Sequence, residues 1–305
     1  MHRTAVRTAL VLLSSTALIA VASPALAGGH SSEQADHHSP QQQVVTVTGN
    51  GSSVKLSTDH AYAGSIRFVV RSTNKVTDQG GGSDVTLFRL KHGKTLQQFN
   101  AALQEEFSQT PAVAAKGTRD LVATVIARGL ADVVPRYPET VTETLAAGQY
   151  YAMDLSNPPS GPPALTRFTV LPSRHPAESN VRSQVSVKTV DEHFIAPRVW
   201  PHQGTYTFTN RADTLHFMQL QPVKAGTTDA EIQKAFDTPP SQQTGPPPFF
   251  VQGPTGGNDV VSPGYSLQVT YKLPPGTYVL LCFVADDQTG MPHAAMGMHK
   301  VVVLK

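Results

Sequence analysis

Along much of the chain apolar residues alternate with polar ones. Ile66, Phe68 and Val70 fall on one face of a segment, as do Tyr206 and Phe208, and later Leu267, Val269 and Tyr271. Period two predicts half-buried strands, because successive side chains of a strand point to opposite faces. Residues 278–283 form an unbroken apolar run, as a strand covered on both faces requires. Helical spacing is confined to insertions. Leu96, Phe99, Leu103 and Phe107 predict one helix, a second is expected over 121–130, and a shorter one over 229–236. A Pro/Gly-rich loop is expected from there to Gly264. These apolar stripes read as core contacts.

The pattern is stated twice. A strand-like GSIRFVVRST from Gly64 is followed by DVTLFRL, a helical insertion, PETVTETLAAGQYYAMDL and TRFTVL. GTYTFTNRAD from Gly204, LHFMQL, a helical insertion, SPGYSLQVTYKLPPGTYVLLCF and HKVVVL repeat that order. Turn glycines and alternation correspond, which reads as a duplication with few identities. The expected class is all-β: two tandem Greek-key β-sandwiches with short helical insertions, over residues 44–171 and 184–305, joined by a linker at 172–183.

The N-terminus reads as an export signal over residues 1–27. Arg3 and Arg7 precede an apolar run, and Ala25-Leu26-Ala27 offers a small-x-small cleavage site. No later segment is apolar and long enough to predict a membrane span. Residues 28–43 read as a solvated polar tail, where His30, His37 and His38 sit. The protein is therefore expected outside the cytoplasm, secreted or in the cell envelope or periplasm. A net charge of +2 without a basic cluster gives no reason to expect nucleic acid as a partner.

One cysteine, Cys282, is present. A lone thiol in an oxidising compartment invites oxidation unless something holds it, and a metal is one such thing. It ends the apolar strand, and Pro292-His293-Ala-Ala-Met296-Gly-Met298 follows. Thiolate, imidazole and thioether on one segment are the soft-to-borderline donors that select copper in a His/His/Cys/Met electron-transfer site. His216, on an earlier strand, is the candidate second imidazole. Taken singly each has a plainer reading: Cys282 as a small buried apolar residue, His216 as a core histidine, Met296 and Met298 as packing residues. It is the joint pattern that points to copper.

On these residues the second half resembles the cupredoxins, the plastocyanin- and azurin-like blue-copper family. The resemblance implies one Cu(I)/Cu(II) ion held by His216, Cys282, His293 and Met298, whose spacing from His293 favours it over Met296 as axial ligand. It implies His293 as an exposed exit for the electron, with Met291 and Pro292 as a docking patch. The sequence departs from the family at two places. Ten residues separate Cys282 from His293, and Phe217 follows His216 where the family usually has a bracing asparagine, so the brace is either missing or supplied elsewhere. The first half has none of the ligands: Ser83 aligns with His216 and Asp154 with Cys282. It reads as a cupredoxin-like sandwich without metal.

Three functions remain on the sequence. The first is one-electron transfer with a redox-protein partner. The second is copper carriage, scavenging or assembly with a trafficking partner, and the third a metal-free binding module. Catalysis is not expected. Copper oxidases need a second, histidine-rich centre, whereas Leu281 and Phe283 flank Cys282 and no His-x-His pair occurs.

Overall fold

The computed structural model describes residues 43–75, 81–157, 161–238 and 247–305. The expected export signal and nearly all of the polar tail lie outside these residues. In the first half the strands are β1 (Gln43–Gly49), β2 (Val54–Leu56), β3 (His60–Tyr62), β4 (Gly64–Ser72), β5 (Ser83–Leu90), β6 (Val125–Val133), β7 (Glu139–Leu145), β8 (Gly148–Asp154) and β9 (Thr166–Leu171). In the second they are β10 (Val185–Val190), β11 (His193–Ile195), β12 (Val199–Trp200), β13 (Gln203–Asn210), β14 (His216–Val223), β15 (Gly256–Val261), β16 (Ser266–Lys272), β17 (Gly276–Leu281) and β18 (His299–Leu304). Helices α1 (Leu96–Glu106) and α2 (Pro111–Thr124) lie between β5 and β6, and α3 (Asp229–Asp237) between β14 and β15.

The alternating segments are strands, and their apolar faces make the core. Ile66, Phe68, Val70, Tyr206, Phe208, Leu267, Val269 and Tyr271 are all buried, each contributing about 1.5–3 kcal/mol relative to exposure if it resembles a Val-to-Phe-sized side chain. The all-β expectation holds, and so does the duplication. In each half one sheet runs β2-β1-β4-β7 or β11-β10-β13-β16, and the other β6-β5-β8-β9-β3 or β15-β14-β17-β18-β12. The first strand is parallel to the fourth in both halves.

The halves are not separate beads. β7 pairs antiparallel with its counterpart β16, through Val141 opposite Val269, and β6 meets its counterpart β15. The two sandwiches therefore merge into an 8-stranded and a 10-stranded sheet. An edge strand exposes unpaired N–H and C=O groups, and joining like edges satisfies both. Residues 172–183 lie against the sheets: Ser65 N donates to Ala177 O, and Gln268 Nε2 to Val181 O.

Two expectations are corrected. The second helix of the first insertion is not at 121–130; α2 ends at Thr124, and Val125 begins β6. β6 is buried along almost its whole length between β5 and β15, so its apolar positions run together and mimic a helical stripe. Likewise the stretch expected to be loop up to Gly264 contains β15, whose glycines and Asn-Asp pair disguise a strand.

Candidate metal centre

His216 opens β14, where the ladder against β15 slips between His216 and Met218. Such a bulge re-aims a side chain. The turn before it is braced by Asn210. Its Nδ2 donates to Thr214 O (2.8 Å) and Val261 O (2.8 Å), and its Oδ1 accepts from Ala212 N (3.0 Å) and Thr189 Oγ1 (2.9 Å). Asn210, on β13, thus fixes the turn that leads into His216, and these four bonds do not reach the loop from Cys282 to His293.

Cys282 follows β17 directly. The ten residues to His293 fold into a small hairpin: Asp286 N donates to Met291 O (2.7 Å), Gly290 N to Asp286 O (2.9 Å), and Ala285 forms a bridge with Pro292. His293 N then donates to Val284 O (3.0 Å) and Ala294 N to Cys282 O (2.7 Å). The extra length is spent in the hairpin tip, and His293 returns beside Cys282. A 3-10 turn over His293–Met296 ends at Gly297, whose φ of 104° suits glycine. Met298 N donates to His293 O (2.9 Å), and its side chain is buried in the same cluster as Cys282.

The structure brings three of the expected residues together. His216 Nδ1 lies 3.7 Å and His293 Nδ1 3.6 Å from Cys282 Sγ, and the ligand atoms of the three residues fall within 4.8 Å of one another. All three side chains and Met298 are 0 % exposed. Met296 differs: it is 37 % exposed, and its sulfur accepts a hydrogen bond from Thr289 Oγ1.

Burial pushes the His216 imidazole well below its usual pKa, and the neighbouring His293 pushes it further. His293 is pushed down to about 4 by burial, against the pull of Asp286. Both rings are therefore neutral at pH 7, with a lone pair to offer. Burial works against ionisation of Asp286, yet hydrogen bonds from Thr289 and Gln288 hold its carboxyl below the usual range.

The donor set fits a copper ion. Two imidazoles in the tautomer that leaves Nδ1 free, with a deprotonated thiol, would direct three lone pairs to one point. Bonds of the length zinc makes, about 2.0 Å to nitrogen and about 2.3 Å to sulfur, set N and S about 3.5 Å apart at a tetrahedral angle and about 3.7 Å apart at a trigonal one. The observed spacings fall in that interval, so they suit a transition-metal ion.

One expectation fails here. His293 does not present an exposed edge, because its side chain is fully buried. Residues of the first half cover its loop, and sequence reasoning missed them. Thr118 Oγ1 donates to Ala285 O (2.8 Å), Ala285 N donates to Glu106 Oε1 (3.2 Å), and Arg119 donates to Asp287 O. They lie 168 residues or so from their partners, and nothing local marks them. Met291, on the same hairpin, is exposed.

No family model matches the chain, and no curated protein matches it. Among solved structures the chain is similar to auracyanin B, with 22 % identity over 42 % of this chain and 93 % of that one, at a TM-score of 0.25. A reduced auracyanin from the photosynthetic bacterium Roseiflexus castenholzii gives 23 % identity over 39 % and 94 %, TM-score 0.23. A copper nitrite reductase from Nitrosomonas europaea gives 10 % identity over 87 % and 93 %, TM-score 0.22.

Proposed function

We propose that the chain is an exported protein that holds one copper ion in its second half and passes single electrons to and from a redox-protein partner. The observation that carries this is the convergence of two neutral imidazoles and one thiol, all fully buried, at metal-ligand spacing. Copper bound there would supply the one-electron couple, Cu(I)/Cu(II). Cys282 binds as thiolate, its proton displaced on binding. His216 and His293 supply nitrogen, and Met298 is the weak axial donor that tunes the potential. Ligands fixed by a bulged strand and a hairpin move little between oxidation states, which favours fast electron transfer.

The complete burial of the donors favours this reading over a copper carrier, which has to hand its ion over by ligand exchange. The chain is read as a non-enzyme, since Cys282 lies between Leu281 and Phe283 and not beside a histidine that would wire it to a second centre. The electron passes through the exposed Met291 and the half-buried Pro292, covalently continuous with His293. Export rests on the N-terminal pattern; no helix among the described residues is long and apolar enough to cross a membrane.

A Cu(II) titration of residues 28–305 tests the proposal. The expected result is a visible thiolate-to-copper absorption that saturates at one ion per chain, bleaches reversibly on reduction, and is missing in Cys282→Ala. Tight colourless Cu(I) binding would favour the carrier. Absence of any copper binding by the wild type sinks both.

A further inference from the structure

The first half has lost the metal donors, yet its helical insertion is bound to the hairpin that carries them. Four contacts run along that hairpin. Thr118, fully buried on α2, donates to Ala285 O at 2.8 Å. Glu106, at the end of α1, accepts from Ala285 N at 3.2 Å. Arg119 donates to Asp287 O. Gly290, at φ 70°, sits so close to α2 that an added Cβ would lie 1.9 Å from Pro111 O.

Ala285 is thus held at both backbone groups by the other half of the molecule. It is three residues past Cys282, and its bridge to Pro292 places His293. A cavity of about 50 Å³ lies between the insertion and the strands beneath it, lined among others by Phe88, Phe99, Leu103 and Leu121, and it reaches Leu215 and Val284 at the edge of the seam. Leu215 precedes His216, and Val284 accepts from His293 N. The hairpin is thus placed by two bonds to the Ala285 backbone together with the close approach of Gly290 to α2.

We infer that the helical insertion of the metal-free half is a wall of the copper site, with Thr118 and Glu106 as positioning residues that set the Cys282–His293 geometry and exclude water from it. This rests on the copper reading above. A buried carbonyl that loses its donor either stays unsatisfied or moves toward water, and Ala285 is 2 % exposed. The hairpin would then lift, taking His293 with it.

Three variants test this. Thr118→Val removes the donor at constant volume, Thr118→Ser restores it, and Val45→Ala in β1 weakens the core away from the seam. In the copper-loaded protein, Thr118→Val is expected to shift the thiolate absorption band and lower the reduction potential. Thr118→Ser should match wild type, and Val45→Ala should move neither, although it unfolds more easily. In the metal-free protein, a thiol-specific disulfide reagent should label Cys282 at least tenfold faster in Thr118→Val than in wild type or Thr118→Ser. An unchanged band and potential in Thr118→Val overturns the inference, whatever the labelling rate. If wild type binds no copper, the copper reading fails. The labelling rates then decide by themselves whether the first half holds the hairpin, equal rates in all four proteins overturning it.

Discussion

Cys282 and Asp154 stand at the same place in the two halves, each at the end of the same strand. The carboxylate of Asp154 accepts from Gly51 N (2.7 Å), Ser156 N (3.1 Å) and Ser156 Oγ (2.6 Å), and Ser83, the counterpart of His216, pairs its hydroxyl with Ser72. Gly49 leaves room for this, since a Cβ there would come within 2.6 Å of both Asp154 and Ser83. The donor positions of the first half are thus closed by hydrogen bonds. Another buried carboxylate, Glu143, is pushed up to about 7 by burial, against the attraction of Arg128. Its Oε1 finds no hydrogen-bond donor, whereas Oε2 is held by Arg128. The folded pKa lies above the unfolded value, so between about pH 4.5 and 7 the native state binds the extra proton. Stability from this group is full below pH 4.5 and falls as pH rises to 7, by at most about 3 kcal/mol. Urea unfolding of Glu143→Gln across that range should lack this part of the slope, with Arg128 left in place as donor. A slope equal to wild type would contradict it.

The elements explain why the insertion is rigid enough to act as a wall. Thr95 caps α1 with a reciprocal bond to Gln98, and Pro111 starts α2, where its missing N–H costs nothing. The two helices cross at Gly117, where an added Cβ would lie 2.1 Å from Glu106 N. Replacing glycine by alanine within a helix ordinarily stabilises it by about 1 kcal/mol. At this crossing the sign reverses, because the methyl forces apart two backbones and shifts Glu106. Gly117→Ala is expected to destabilise the protein by about 1–3 kcal/mol, as overpacking does, seen in chemical denaturation. A gain in stability would show that α1 and α2 are not so closely apposed. The sequence pattern located α1 from its four apolar positions but put α2 at 121–130, of which only 121–124 are helical. Val125, Ala127 and Leu130 are buried because β6 lies inside a sheet, and periodicity cannot tell such a strand from a helix.

In the whole molecule the pairing of β7 with β16 and β6 with β15 makes the two halves one folding unit. Arg128 marks the seam: it is paired in register with Val261, bonds Glu143, and lies 4.4 Å from the centroid of the Tyr265 ring. Calorimetry should therefore give a single unfolding transition with equal calorimetric and van't Hoff enthalpies. Two resolved transitions would show the sandwiches to be independent. Alternation of apolar residues and its repetition were enough to determine the half-buried strands and the two-fold plan, though not β6 or β15, because burial of one strand face is a local demand on the sequence. The proposed donors were legible for another reason: Cys282, His293 and Met298 lie on one segment, and the cupredoxin resemblance pointed to His216 on an earlier strand. The sequence could not show that the duplicated edges join, or that the first half grips the hairpin leading to His293. Those facts depend on contacts between residues more than a hundred positions apart, which leave no period in the chain. Tertiary structure alone decided that Thr118 and Glu106 meet Ala285, and that an imidazole expected at the surface is buried.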